Sequence, residues 1–92
     1  MSNTQDLAGK VVVITGGGSG VGRATALALV HAGATPVLLG RSVAPLSETL
    51  DLISEAGGTG LAIPADVADE TAVVDAFART AQKLGGIDAV IL

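Results

Sequence analysis

Ninety-two residues with nine acidic and five basic side chains give a formal charge of −4 and a pI near 4.5. That length allows one domain rather than two, and the charge argues against a surface for nucleic acid or anionic lipid. At 49% hydrophobic residues the chain is composed like a folded globular protein, not a disordered one.

Lys10–Thr15 reads as a strand apolar on both faces, as a central parallel strand must be. A glycine-rich turn, Gly16 to Gly22, leads into a helix from about Val21 to Ala32. Ala24, Ala28 and Ala32 would give that helix a small face for close packing on a sheet, and Gly33 suits the left-handed residue that ends it. Pro36–Leu39 forms a second strand, with Pro36 tolerable at its start. Pro45 fits a first helical turn, and Leu46, Leu50 and Ile53 follow at helical spacing until Gly57-Gly58. Gly60–Pro64 is a short third strand. Asp69 and Glu70 open a third helix at its positive end, Val73, Phe77 and Leu84 mark its buried stripe, and Gly85-Gly86 stops it. Asp88–Leu92 is a fourth strand.

Strands alternating with helices define an α/β class with a parallel sheet. Right-handed crossovers put the strands in the order 3-2-1-4, which leaves the fourth as an aliphatic edge. A bare edge of that kind is the mark of a sequence that stops partway through a larger doubly wound domain.

Thr15-Gly16-Gly17-Gly18-Ser19-Gly20-Val21-Gly22 lies between a strand and a helix, where glycines let a backbone approach a pyrophosphate and free helix N–H groups face it. A plain turn without ligand needs one or two glycines, so the surplus points to a bound phosphate. A nucleoside-triphosphate loop is excluded, because Arg23-Ala24 stand where its lysine and hydroxyl belong. The GxGxxG fingerprint also fails in every register. T-G-x-x-x-G-x-G fits, at Thr15, Gly16, Gly20 and Gly22.

On this motif, together with Leu7-Ala8-Gly9-Lys10, Asp66-Val67 and Gly86-Ile87-Asp88, the sequence resembles the short-chain dehydrogenase/reductase family over nearly its whole length. The resemblance implies a Rossmann-like doubly wound sheet and a chain, residues 1–92, that is its NAD(P)-binding part. It implies cofactor contacts from Gly16, Ser19, Gly20, Val21 and Gly22, with Asp66 on the adenine amino group and Val67 against the ring. Asp66 has a plainer reading too, as a turn or helix-entry aspartate. Thr15 is expected to brace the turn.

The ribose is read about 20 residues past the glycines. Gly40 stands where NAD sites place a carboxylate, and Arg41 and Ser42 follow. A guanidinium there suits a 2′-phosphate, so NADP(H) is favoured over NAD; a solvent-facing arginine is the alternative. The family's Tyr-x-x-x-Lys proton donor is not in this tyrosine-free sequence, so no catalytic residue is assigned and the 92 residues alone are expected to be inactive. The complete protein is then expected to be an oxidoreductase acting on a ketone or secondary alcohol, and a homo-oligomer. A non-catalytic dinucleotide-binding module, or a fragment completed by a partner chain, is the competing reading.

No metal site is expected: His31 is alone near a helix end, Asp69-Glu70 suit a helix dipole, and there is no cysteine. The absence of cysteine fits a reducing, cytoplasmic compartment. Despite a mean hydropathy of +0.63, no aliphatic run nears the roughly 20 residues of a membrane span. Met1–Asp6 has neither half of a signal peptide.

Overall fold

The computed structural model describes residues 6–18 and 20–92. Four strands, β1 (Val11–Thr15), β2 (Thr35–Gly40), β3 (Leu61–Pro64) and β4 (Ala89–Ile91), alternate with three helices, α1 (Gly20–His31), α2 (Val43–Glu55) and α3 (Glu70–Leu84). All pairings are parallel and the order is β3-β2-β1-β4, as the crossover argument predicts.

The central strands β1 and β2 are buried on both faces by alternation. Val12, Ile14 and Leu38 pack with Ala26 and Val30 of α1 and Leu46 and Ile53 of α2. Val11, Val13, Val37 and Leu39 turn to the other side, against Ala76 and Phe77 of α3. Pro36 sits inside β2 but causes no loss in the ladder. Thr35 donates to the Lys10 carbonyl on the β1 side, so the next residue turns toward β3, whose pairing starts only at Val37↔Leu61.

Two stripes differ from the expectation. Ala24 and Ala28 of α1 face solvent, and the sheet side is Ala26 and Val30, four residues apart. Alanine carries too little hydrophobic signal for its spacing alone to fix a face. On α3 the buried positions are Ala76 and Thr80, with Val73 and Phe77 half-buried beside them and Leu84, in the last turn, exposed. Thr80 is tolerated there because its hydroxyl donates to the Ala76 carbonyl at 2.8 Å. The terminators behave as read: Gly33 and Gly85 have φ of 90° and 84°.

β4 pairs with β1 alone and its three residues are exposed. Its start is fixed by Asp88, whose Oδ2 accepts the Val11 N–H at 2.7 Å while its own N–H donates to the Val11 carbonyl at 2.8 Å. Removing that acceptor strands the amide of a buried residue, at a cost of about 1–3 kcal/mol. Asp88→Ala is therefore expected to lower the melting temperature of the whole protein by several degrees, and Asp88→Asn, which keeps an acceptor, by clearly less. Equal melting of the two variants would contradict this role.

Candidate functional site

The carboxyl ends of β1, β2 and β3 lie on one edge of the sheet, and ligands of parallel α/β sheets bind outside such an edge where strand order reverses, here beside β1. Five glycines shape the loop after β1. Gly16 and Gly20 have φ of 73° and 55° and no atom within 4 Å of an added Cβ, so they combine the left-handed backbone with open space. The other three are demanded from within. A Cβ at Gly17 would meet Leu38 Cδ2 at 2.7 Å, one at Gly18 would meet Pro45 Cβ at 2.8 Å, and one at Gly22 would strike the Gly16 carbonyl oxygen. Glycine abundance alone is thus no sign of a ligand, contrary to the reading from composition.

The N–H groups of Gly16 and Gly17 both donate to the Leu39 carbonyl, at 2.8 and 3.4 Å, and hold the loop to β2. The donors left for an anion are those of the first turn of α1, at Gly20, Val21 and Gly22, which have no partner within a helix. Ser19 lies outside the described residues. Val21 is 83% exposed at the same helix start. Thr15 braces a strand end rather than the turn, its hydroxyl donating to the Ile91 carbonyl at 3.3 Å.

Gly16, Gly18, Gly40, Arg41, Ser42, Pro45 and Leu46 line one cleft of about 190 Å³, so the loop and the end of β2 converge as the spacing implies. Arg41 is exposed and makes no ion pair among the described residues. Ser42 is the N-cap of α2, yet its hydroxyl makes no capping bond. Neither α1 nor α2 has an acidic residue in its first turn, whereas α3 has both the Asp69 cap, accepting from Ala72 N, and Glu70. Among the described residues, the two helices that begin at the cleft carry no carboxylate in the first turn, and the one that begins elsewhere carries one. A larger concavity of about 630 Å³ on the solvent side of α3 (Glu70, Thr71, Val74, Asp75, Ala78) shares no residue with the loop.

Asp66 and Val67 follow β3 on the same edge but do not line that cleft. The Ala65 N–H donates to the Gly40 carbonyl at 2.7 Å, which places Asp66 one residue beyond the β2–β3 pairing. Asp66 Oδ1 accepts the Ala68 N–H at 2.9 Å, the turn role weighed from the sequence, and Oδ2 has no protein partner among the described residues. Val67 is 52% exposed.

One residue was missed. Arg23 Nε donates to Thr49 Oγ1 at 2.9 Å, and its Nη2 reaches the Gly18 carbonyl at 2.7 Å, the Pro45 carbonyl at 3.2 Å and Glu48 Oε1 at 3.4 Å. In sequence it served only to exclude a triphosphate loop. A cation in the first turn of a helix opposes the dipole, and that misfit was the available signal that acceptors had to be near.

The short chain dehydrogenase family model matches residues 10–92. The chain belongs to that family. It is 38% identical over 97 aligned positions to the hydroxyacyl-CoA dehydrogenase ChsB1 of Mycobacterium tuberculosis, covering 98% of this chain and 30% of the relative. The structure superposes on the citronellol catabolism dehydrogenase AtuB of Pseudomonas aeruginosa PAO1 with a TM-score of 0.93 at 34% identity, covering 98% of this chain and 38% of that one. It superposes on an NAD+-bound xylitol dehydrogenase with a TM-score of 0.88 at 31% identity, covering 91% of this chain and 32% of that one. The chain spans about 30% of the length of ChsB1 and of most of the curated relatives it matches, and 76% of the short-chain dehydrogenase/reductase homolog YusS of Bacillus subtilis, to which it is 35% identical.

Proposed function

We propose that residues 1–92 are the cofactor-binding part of an NADP(H)-dependent oxidoreductase that reduces a ketone or oxidises a secondary alcohol. The supporting observation is the cleft that joins an open glycine loop to Arg41 and Ser42 with no carboxylate among its lining residues. The reading is supported too by Gly16 and Gly20, where an added Cβ would meet no atom within 4 Å and the backbone lies open. A bound nicotinamide supplies the hydride donor or acceptor. This chain's part is to bind and orient. The first-turn amides of α1 hold the diphosphate, Arg41 and the Ser42 hydroxyl hold the 2′-phosphate, and Val21 covers the nicotinamide side. Asp66 accepts from the adenine amino group through its unpartnered Oδ2, and Val67 flanks the ring. Substrate contacts and the proton donor belong to the rest of the complete protein, which we take to be a cytoplasmic homo-oligomer.

Charge-assisted bonds to a 2′-phosphate are worth roughly 1.5–3 kcal/mol, or about 10- to 150-fold in affinity. In the whole protein, titration of NADPH and NADH is expected to show tighter binding of NADPH. Arg41→Ala is expected to weaken NADPH by that factor and leave NADH unchanged. Equal wild-type affinities refute the NADP(H) assignment; the xylitol dehydrogenase, which holds NAD+, shows what the alternative would be.

A further inference from the structure

Resting on the NADP(H) reading, we propose that Arg23 is a positioning residue for cofactor selectivity: it fixes the separation of the two walls between which the diphosphate and the 2′-phosphate are held. One wall is the glycine loop and the other is the first turn of α2, and a single guanidinium nitrogen, Nη2, bonds the Gly18 carbonyl at 2.7 Å and the Pro45 carbonyl at 3.2 Å across them. Gly18 and Pro45 both line the cleft that Arg41 and Ser42 share.

The guanidinium is itself held. Nε donates to Thr49 Oγ1 at 2.9 Å, and the fully buried Thr49 hydroxyl donates in turn to the Pro45 carbonyl at 3.1 Å. Glu48 Oε1 completes the set at 3.4 Å from Nη2. A planar fork with fixed donor directions transmits a distance, which a single ammonium on a flexible stem does not. The dinucleotide presents its diphosphate and 2′-phosphate on one ribose, at a separation set by covalent bonds. Loop and α2 must therefore stand at one spacing for both groups to be gripped together. A slack wall would leave the diphosphate bound and carry Arg41 and Ser42, four and three residues before Pro45, away from the second phosphate.

The test uses the whole protein and reads the ratio of the NADH to the NADPH dissociation constant alongside the melting temperature. Arg23→Ala is expected to lower that ratio about 3- to 30-fold. Arg23→Lys, which keeps the charge and loses the fork, is expected to fall close to it. Thr49→Val, which keeps the arginine and removes its anchor, is expected to shift the ratio the same way by a smaller factor, and remains informative if Arg23→Ala fails to fold. A drop in melting temperature with an unchanged ratio in all three variants overturns the proposal and leaves Arg23 as a structural tie. Full recovery of the ratio in Arg23→Lys overturns it in favour of charge alone. A wild-type ratio at or below 1 overturns the NADP(H) reading instead, before any variant is compared.

Discussion

On the proposed NADP(H) reading, Gly40→Asp is expected to reverse the cofactor preference in favour of NADH, moving the ratio of the two dissociation constants by about 1,000-fold. Gly40 ends β2 and lines the cleft with Arg41 and Ser42. Its carbonyl accepts the Ala65 N–H at 2.7 Å, so the backbone there is pinned and a new side chain arrives at a defined place. The buried Leu46 side chain must give by a few tenths of an ångström to admit it. An added Cβ would meet Leu46 Cδ2 at 3.3 Å, the far end of a flexible side chain, and the backbone is not in the left-handed region. A carboxylate about 5 Å from a 2′-phosphate costs about 3 kcal/mol per unit charge at an effective dielectric near 20. The same carboxylate accepting from a free 2′-hydroxyl returns about 1.5 kcal/mol to NADH. Fluorescence titration with both cofactors measures the ratio; a variant that keeps its NADPH preference would show that the 2′ position lies elsewhere.

That prediction depends on elements whose places were readable in the sequence, and the reason is local. Val11–Ile14 could only be buried on both faces, Gly33 and Gly85 could only end helices, and two strands with a glycine turn between them put Arg41 near Gly16 without any long-range information. What stayed hidden was decided by partners far along the chain. Asp88 shows no local reason to exist until Val11, 77 residues earlier, presents an amide to it. Arg23 finds three of its partners, Pro45, Glu48 and Thr49, on a different helix, 22 to 26 residues away. Gly17 and Gly18 show no packing role in the sequence, because Leu38 and Pro45 come against them only once β2 and α2 have folded. Pattern gives the elements and their order; it does not distinguish a glycine kept for a ligand from one kept for a neighbour.

Gly22→Ala separates those two kinds of glycine, and it is expected to damage the fold and the binding together. The new methyl would strike the Gly16 carbonyl oxygen, with the carbonyl carbon at 2.8 Å and Gly17 Cα at 3.1 Å. These are backbone atoms, which cannot rotate out of the way as Leu46 can. Either α1 tilts off the sheet, where Ala26 is fully buried, or the loop lifts and breaks the Gly16 N–H bond to Leu39 at 2.8 Å. Overpacking of this kind costs about 1–3 kcal/mol and the lost bond about 1 more. At roughly 2–4 °C per kcal/mol for a protein of the relatives' size, the melting temperature should fall by about 10 °C. Because the first-turn amides move with the helix, NADPH and NADH should both weaken by about 100-fold or more, near 3 kcal/mol. Gly20→Ala is the contrast. It meets no atom within 4 Å, so the strain of φ 55° alone, about 1–2 kcal/mol, bears on the fold while the methyl projects into the ligand space. It should melt closer to wild type than Gly22→Ala and still bind either cofactor poorly. If Gly22→Ala binds both cofactors as the wild type does, the close approach of α1 to the loop is not what shapes the diphosphate site.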